Sequence, residues 1–488
     1  MAVDEIAAGT GPTREGEFSV EQRGIQPVPE ASRYGRVFRL FTVWFAPQIS
    51  PPPFFIGALA AAEFIGLGFW PAFFAIIVGN VVGTLPVAVL ATWGPQTGMA
   101  QMPLSRGAFG RGIALPGIVN WGATIGWQAF NNVFGATAVH LLLHVPFWLA
   151  LLFIFAGQAL LSILGYEAVH TFEKWMTYVL GAVFLVLTLK ILLFHGTIGG
   201  LTSTVHGADL VGSFVLMVVI VGSYVYGWAP YAADYSRYLP ANSPKRQVFW
   251  YTFLGMAVGS AWMEVLGLAV AAKILALGTI GTAVAIRDFI GSGLGQIALI
   301  AIYLGTVAVN ALNDYTGSLS LQAAGIRIRR PVAAFVTGAA SFALSLWYLY
   351  GSASLPDKAE NFLLFIVYWI SPWLGVVAVD WIRRRGRIDT GRLMNLKTLH
   401  SGAPAVIAFV VGFFASVPFS NTTAGFNFVT SHPGFAHYIG WFPYHGLHGA
   451  DLGFLVGFVV AAVIYALLDR RSSAEDLYLP SSAMAATG

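Results

Sequence analysis

Apolar runs of about twenty residues recur along almost the whole chain, and polar residues are confined to the stretches between them. Twenty helical residues rise about 30 Å, the thickness of a bilayer's hydrocarbon core. The runs fall near 37–62, 66–92, 113–143, 146–165, 171–194, 210–237, 247–276, 294–322, 332–350, 361–382, 402–418 and 448–469. Each predicts a helix, because backbone amides in lipid need partners within their own span. The pattern predicts an all-α integral membrane protein of twelve transmembrane helices over 36–470. Polar tails flank it at 1–35 and 471–488.

Two runs break the helical pattern. The first contains Pro47 and then Pro51-Pro52-Pro53, which together remove backbone donors and cannot sit inside a regular helix. The sixth contains Gly222, Gly227 and Pro230. Irregular backbone at membrane depth is tolerated where it lines a protein cavity. Breaks five spans apart are the pattern of a five-plus-five inverted repeat, with discontinuous helices one and six and a solute site beside them. On this plan 36–194 is the first repeat, 210–382 the second, and 402–470 two extra helices.

Composition and charge narrow the class. Only 10% of the 488 residues are charged and 57% are hydrophobic, against about a quarter charged in soluble domains, so a soluble globule is excluded. Basic residues gather in alternate loops. Arg33, Arg36 and Arg39 precede span one, Arg106 and Arg111 follow span two, and Lys174 follows span four. Arg237, Lys245 and Arg246 follow span six, and Arg327, Arg329 and Arg330 follow span eight. Six more, from Arg383 to Lys397, follow span ten, and Arg470 and Arg471 follow span twelve. Arg287 and Lys358 are the exceptions. The positive-inside rule places both termini in the cytoplasm. The basic pI near 9.2 is then a matter of topology, with no nucleic-acid partner. The absence of cysteine excludes disulfides, thiolate metal sites and cysteine nucleophiles. HExxH, GxSxG and P-loop patterns are also absent, so an enzyme is not expected. The aromatic, His-rich loop 419–447 matches no compact metal-ligand spacing, and no metal or cofactor is expected.

Polar side chains inside the spans supply candidate chemistry. In span three, Trp127 and Asn131 are four apart and share a helix face, with Gln128 and Asn132 beside them. Span eight carries Asn310, Asn313 and Asp314 on one face. Span six adds Gly227 and Trp228 at its break, and span one adds Gln48 and Ser50 at its own. Indole faces stack on flat rings, and carboxamides pair with a donor–acceptor edge. A small, planar, amide-like heterocycle fits this set. For any single Trp, core packing is the commoner role, and buried Asn or Gln often only tie helices together. Their gathering at both breaks is what favours a site.

These segments resemble the nucleobase:cation symporter family, in its purine–cytosine permease branch. GPQTGMAQMPLSRGAFGRG at 94–112 is similar to that branch's loop between spans two and three. Trp127 and Asn131 resemble the family's Trp-x-x-x-Asn pair, and YGWAPYAADYSRY at 226–238 its sixth-span signature. Asn310-Ala311-Leu312-Asn313 falls where the branch has its asparagine cluster. The resemblance runs from about 36 to 470. It implies import of a nucleobase such as cytosine or a purine by alternating access, coupled to protons or sodium, across the cell membrane. Trp127 and Trp228 would stack the base and Asn131 would hydrogen-bond it, with Gln48 and Asn313 as further contacts.

Intramembrane carboxylates are costly and therefore candidates for coupling, which singles out Glu264 and Asp314. Sodium-coupled members place adjacent hydroxyls before the site asparagine. Here that stretch is Ala311-Leu312, with Thr306 the nearest earlier hydroxyl, and Ser50 is the hydroxyl at the first break. Asp234 and Arg237, three apart, are expected to form a structural ion pair or gate contact. A carrier of another planar heterocycle (a hydantoin, allantoin or a vitamin precursor) fits the same chemistry. A channel or membrane-embedded enzyme fits it less well.

Overall fold

A computed structural model of the chain describes residues 24–469 other than 165, 195–199, 327 and 329. The predicted tails over 1–23 and 470–488, with Arg470 and Arg471, lie outside the described residues. So do Arg327, Arg329 and the side chains of Lys174 and Arg330.

Among the described residues all regular structure is helical. Six helices are each long and apolar enough to cross a membrane, at 69–97, 207–236, 245–269, 293–323, 332–350 and 355–383. They are spans two, six, seven, eight, nine and ten. Spans three and four, Ala114–Leu143 and Phe147–Leu164, form a pair bent by 114°. Span three stops where His144 takes the left-handed φ of +56° and Pro146 follows. Span five is Tyr166–Phe194, span eleven Ala403–Ser416 and span twelve Gly453–Leu468. Span one is split into Arg39–Phe45 and Pro51–Ala58.

The apolar sides face outward as membrane solvation demands. On span two Trp70, Phe74, Val81, Val82, Leu85 and Val89 are 40–58% exposed, one stripe at helical spacing. Its opposite face carries glycine. A Cβ on Gly83 would stand 2.4 Å from the Gly222 carbonyl oxygen, so spans two and six touch backbone to backbone. Spans one and seven do the same, where a Cβ on Gly267 would meet the Phe54 carbonyl oxygen at 1.6 Å. Span three packs most extensively on span eight, its counterpart five spans later, and span two also packs on span seven.

The two breaks differ from the expectation in form. In span one the triple proline does not interrupt a helix but starts one: Pro51-Pro52-Pro53 occupy the first turn of the second half, where backbone donors have no helical partner anyway. A 3-10 turn, Ala46–Gln48, leads to irregular backbone at 49–50, with Ser50 extended and its hydroxyl donating to the Pro47 carbonyl at 2.8 Å. Span six is tightened rather than unwound. The helix Gly207–Tyr226 passes through Gly227 and Trp228 into a 3-10 turn, Ala229–Tyr231, and resumes over Ala232–Ser236. Pro230 sits where its missing N–H costs little. Span seven ends earlier than expected, at Ala269, and a separate helix follows over Ala271–Ala276. The 419–447 loop holds two short helices, Thr423–Ser431 and Trp441–His445.

Candidate functional site

The break in span six, the middle of span three and the middle of span eight converge on one pocket. Trp127, Asn131, Tyr224, Gly227, Trp228, Tyr231, Val309 and Asn313 line it. Its empty space, counted out to the open mouth, is about 290 Å³. Five of the eight predicted substrate contacts therefore share one cavity: Trp127, Asn131, Gly227, Trp228 and Asn313.

Local sequence explains their placement. Trp127 and Asn131 lie one turn apart on span three. The Trp127 indole is braced edge-on by Phe362 at 4.9 Å and Tyr224 at 5.7 Å. It also lies against the Gly227 backbone, where a Cβ would come within 2.6 Å of Trp127 Cζ2. Glycine at the break is thus what lets the indole lie against span six. Trp228 is held edge-on by Trp44 at 5.9 Å and Tyr231 at 5.6 Å. Asn313 is almost wholly buried, and its carboxamide has no hydrogen-bond partner among the described residues.

Behind the pocket lies a buried chain of side-chain amides. Asn131 Nδ2 donates to Asn310 Oδ1 at 3.1 Å. Asn310 Nδ2 donates to Asn132 Oδ1 at 2.7 Å and to Gln158 Oε1 at 3.0 Å. Gln158 Nε2 donates to Gln128 Oε1 at 3.1 Å, and Gln128 Nε2 donates to Asp314 Oδ1 at 2.6 Å. Asn310 and Gln128, expected at the substrate, are thus one layer back and not in the pocket wall. Their amides are consumed by facing helices, as the commoner role of intramembrane amides would have it.

Gln48 is also not among the lining residues. It is fully buried beside Gly259 of span seven, and both its amide atoms lack hydrogen-bond partners among the described residues. Ser50 is not in the wall either; its hydroxyl donates to Pro47 O at 2.8 Å. Thr306 is bound to its own helix, donating to Ile302 O at 2.9 Å. Glu264 is fully buried between spans two and seven, where Ser260 Oγ donates to it at 3.0 Å and Asn80 Nδ2 at 2.5 Å. No cation lies against it among the described residues.

Asp234 and Arg237 face different partners. Asp234 accepts from the Gln101 backbone N–H at 2.8 Å and from Thr316 Oγ1 at 3.0 Å, while Arg237 donates to Tyr315 Oη at 2.6 Å. Each joins span six to span eight. In the His-rich loop, His445 stacks on Trp441 at 3.7 Å, His432 on Phe428 at 4.5 Å, and His448 pairs with Asp209 at 2.9 Å. Among the described residues no three potential ligands gather for a metal.

Four participants were not singled out in the sequence. Tyr224 and Tyr231 flank the break at 227–228 by three residues each, and that spacing is their signal. Gln158 is the lone polar residue in the apolar run LLFIFAGQALL, which marks it as a buried contact. Val309 carries no signal.

Residues 27–466 match the family model of permeases for cytosine/purines, uracil, thiamine and allantoin. A putative purine-cytosine permease of Bacillus subtilis is 28% identical, over 92% of this chain and 96% of its own. A purine-cytosine permease of Emericella nidulans is 30% identical, over 93% of this chain and 89% of its own. Among solved structures, a nucleobase-cation-symport-1 family transporter in a closed conformation with bromovinylhydantoin bound superposes with a TM-score of 0.72. It is 16% identical and the match covers 95% of this chain and 98% of that one. The fold is therefore that transporter's twelve-helix plan, and a polytopic membrane carrier, not an enzyme, accounts for the chain. With the model spanning nearly all of it, the chain belongs to the family of permeases for cytosine/purines, uracil, thiamine and allantoin.

Proposed function

We propose that the protein is a symporter that imports a nucleobase such as cytosine or a purine across the cell membrane by alternating access, with both termini in the cytoplasm. The observation that carries this is the pairing, in one small cavity at the span-six break, of two indoles with two carboxamides. Trp127 and Trp228 supply aromatic surface for a flat ring. Asn131 and Asn313 supply amide atoms for its edge. Gln48, buried and unpaired at the span-one break, gains a partner when a base or ordered water reaches it, which offsets its desolvation. The repeats are taken as 36–194 and 210–382, with 402–470 as two extra helices.

Protons are the favoured coupling ion. Glu264 is a buried carboxylate whose hydrogen-bond partners among the described residues, Asn80 and Ser260, are neutral. The candidate hydroxyls, Ser50 and Thr306, both donate to carbonyls of their own segments, and Ala311-Leu312 supply none. The test is uptake of labelled cytosine and adenine into cells lacking nucleobase uptake, with and without sodium and a protonophore. Saturable uptake that survives sodium removal and collapses with the protonophore is expected. Sodium-dependent uptake overturns the ion assignment. Membrane-inserted protein that takes up no base overturns the substrate.

A further inference from the structure

We propose that Asp314, which does not line the pocket, is a positioning residue that fixes which hydrogen-bonding pattern Asn131 presents to the substrate. This rests on the nucleobase reading above. An ionised carboxylate can only accept hydrogen bonds. The Asp314–Gln128 contact of 2.6 Å therefore requires Gln128 to turn its amide nitrogen to Asp314, leaving Gln128 Oε1 to accept. Gln158, 3.1 Å away, must then donate to Gln128 and present its own oxygen to Asn310. Asn310 in turn must donate there and present its oxygen to Asn131. Asn131 gives Nδ2 to that oxygen, and its Oδ1, which has no partner among the described residues, is left to the pocket it lines. One negative charge thus sets the sense of four successive amides and ends as an acceptor in the binding site.

The other branches of the network do not set this sense. Asn132 Nδ2 donates to Ser345 Oγ at 2.9 Å, and that hydroxyl donates to Ser341 O at 2.6 Å. A hydroxyl both donates and accepts, so Ser345 serves either sense by rotating. The bond from Gln128 Nε2 to the Asn310 carbonyl is 3.4 Å, too long to hold an amide against its alternative. Asp314 is the acceptor-only terminus at short range.

Adenine and hypoxanthine carry opposite donor–acceptor orders on the same ring edge at nearly the same size, so their kcat/KM ratio reads the sense of Asn131. The wild type is expected to favour one over the other about tenfold or more. Asp314→Asn, whose amide can face Gln128 either way, is expected to bring the ratio within about twofold of one, and Asp314→Glu to restore the preference. Gln158→Met cuts the chain while leaving Asp314 in place, and is expected to lose the preference as well. General damage to the helix pair lowers both rates together and leaves their ratio unmoved. An unchanged ratio in Asp314→Asn overturns the proposal. If that variant does not reach the membrane, an unchanged ratio in Gln158→Met overturns it equally. A wild type with no preference also overturns it. A wild type that transports neither purine overturns the nucleobase reading, and this inference with it.

Discussion

Two residues carry the sharpest consequences of the pocket's geometry. Gly227 has an ordinary helical φ of −54°, so its role is spatial and not conformational. Gly227→Ala puts a methyl 2.6 Å from Trp127 Cζ2 and pushes the indole into the cavity. Overpacking of this kind costs about 1–3 kcal/mol. The expected result is a KM for the transported base raised about tenfold, with normal membrane insertion, checked by uptake kinetics against surface expression. Glu264 tests coupling separately from binding. Glu264→Gln keeps an oxygen that can accept from Asn80 and an amide that can donate to the Ser260 hydroxyl, but cannot take up or release a proton. Accumulation of labelled base against a gradient is expected to fall to equilibration, while exchange of internal for external base persists. Retained concentrative uptake in this variant would remove Glu264 from the mechanism.

At the scale of elements, the 417–452 connection behaves as a lid strapped to span ten through Asp451. That carboxylate lies just before span twelve and accepts from the Tyr368 hydroxyl, from Asn421 N at 2.7 Å and from Gly453 N at 2.9 Å. Burial pushes its pKa up to about 6. The folded state then binds the proton more tightly than the unfolded one, so the stabilisation is full below about pH 4 and is lost as pH rises through 6. The two-unit shift corresponds to about 3 kcal/mol. Glu360, Asp357 and Tyr444 complete the titratable surroundings. The protection of amides in the 421–452 segment, taken relative to their intrinsic base-catalysed exchange, is expected to fall between pH 4.5 and 7 in the wild type and to stay constant in Asp451→Asn. The same scale shows what was legible in the chain. Run length and lipid solvation sufficed for the spans, because hydrophobicity along the sequence is the driving force for insertion. The first break lies where Gln48 and Ser50 were expected to mark it; what the chain left open was the role of the three prolines, which can end a helix or begin one, and only the extended Ser50 decides which. Trp127, Asn131, Trp228 and Asn313 were readable as a site by their spacing. The second layer was not: whether Asn310 and Gln128 face a ligand or each other depends on Gln158 and Asn132, which come from other positions in the fold. Long-range pairing of that kind has no local periodicity.

For the whole molecule, the end rich in basic residues is sealed by contacts that cross between the two repeats. Trp93, after span two, stacks on Trp381 at the end of span ten with centroids 3.8 Å apart. Ser236 donates to Ala91 O at 2.7 Å, Asp234 takes Gln101 N and Thr316, and Arg237 takes Tyr315. The segment before span one joins them, with Arg33 donating to Pro95 O at 2.6 Å and the Tyr34 amide to Tyr238 O at 2.8 Å. Alternating access requires such a seal to be breakable, so its parts should be individually modest. An aromatic pair contributes about 1 kcal/mol beyond its buried area. Trp93→Ala should therefore raise the population open at this end about fivefold. The chain contains no cysteine, so a thiol placed at pocket residue Val309 is the only one a reagent can find. In inside-out vesicles, Val309→Cys is expected to react with a membrane-impermeant maleimide about five times faster when combined with Trp93→Ala. Reaction from the opposite face should slow, because the two openings draw on one population. Equal rates from the sealed face with and without Trp93 would mean that the stacked pair fastens the helices without gating the pocket.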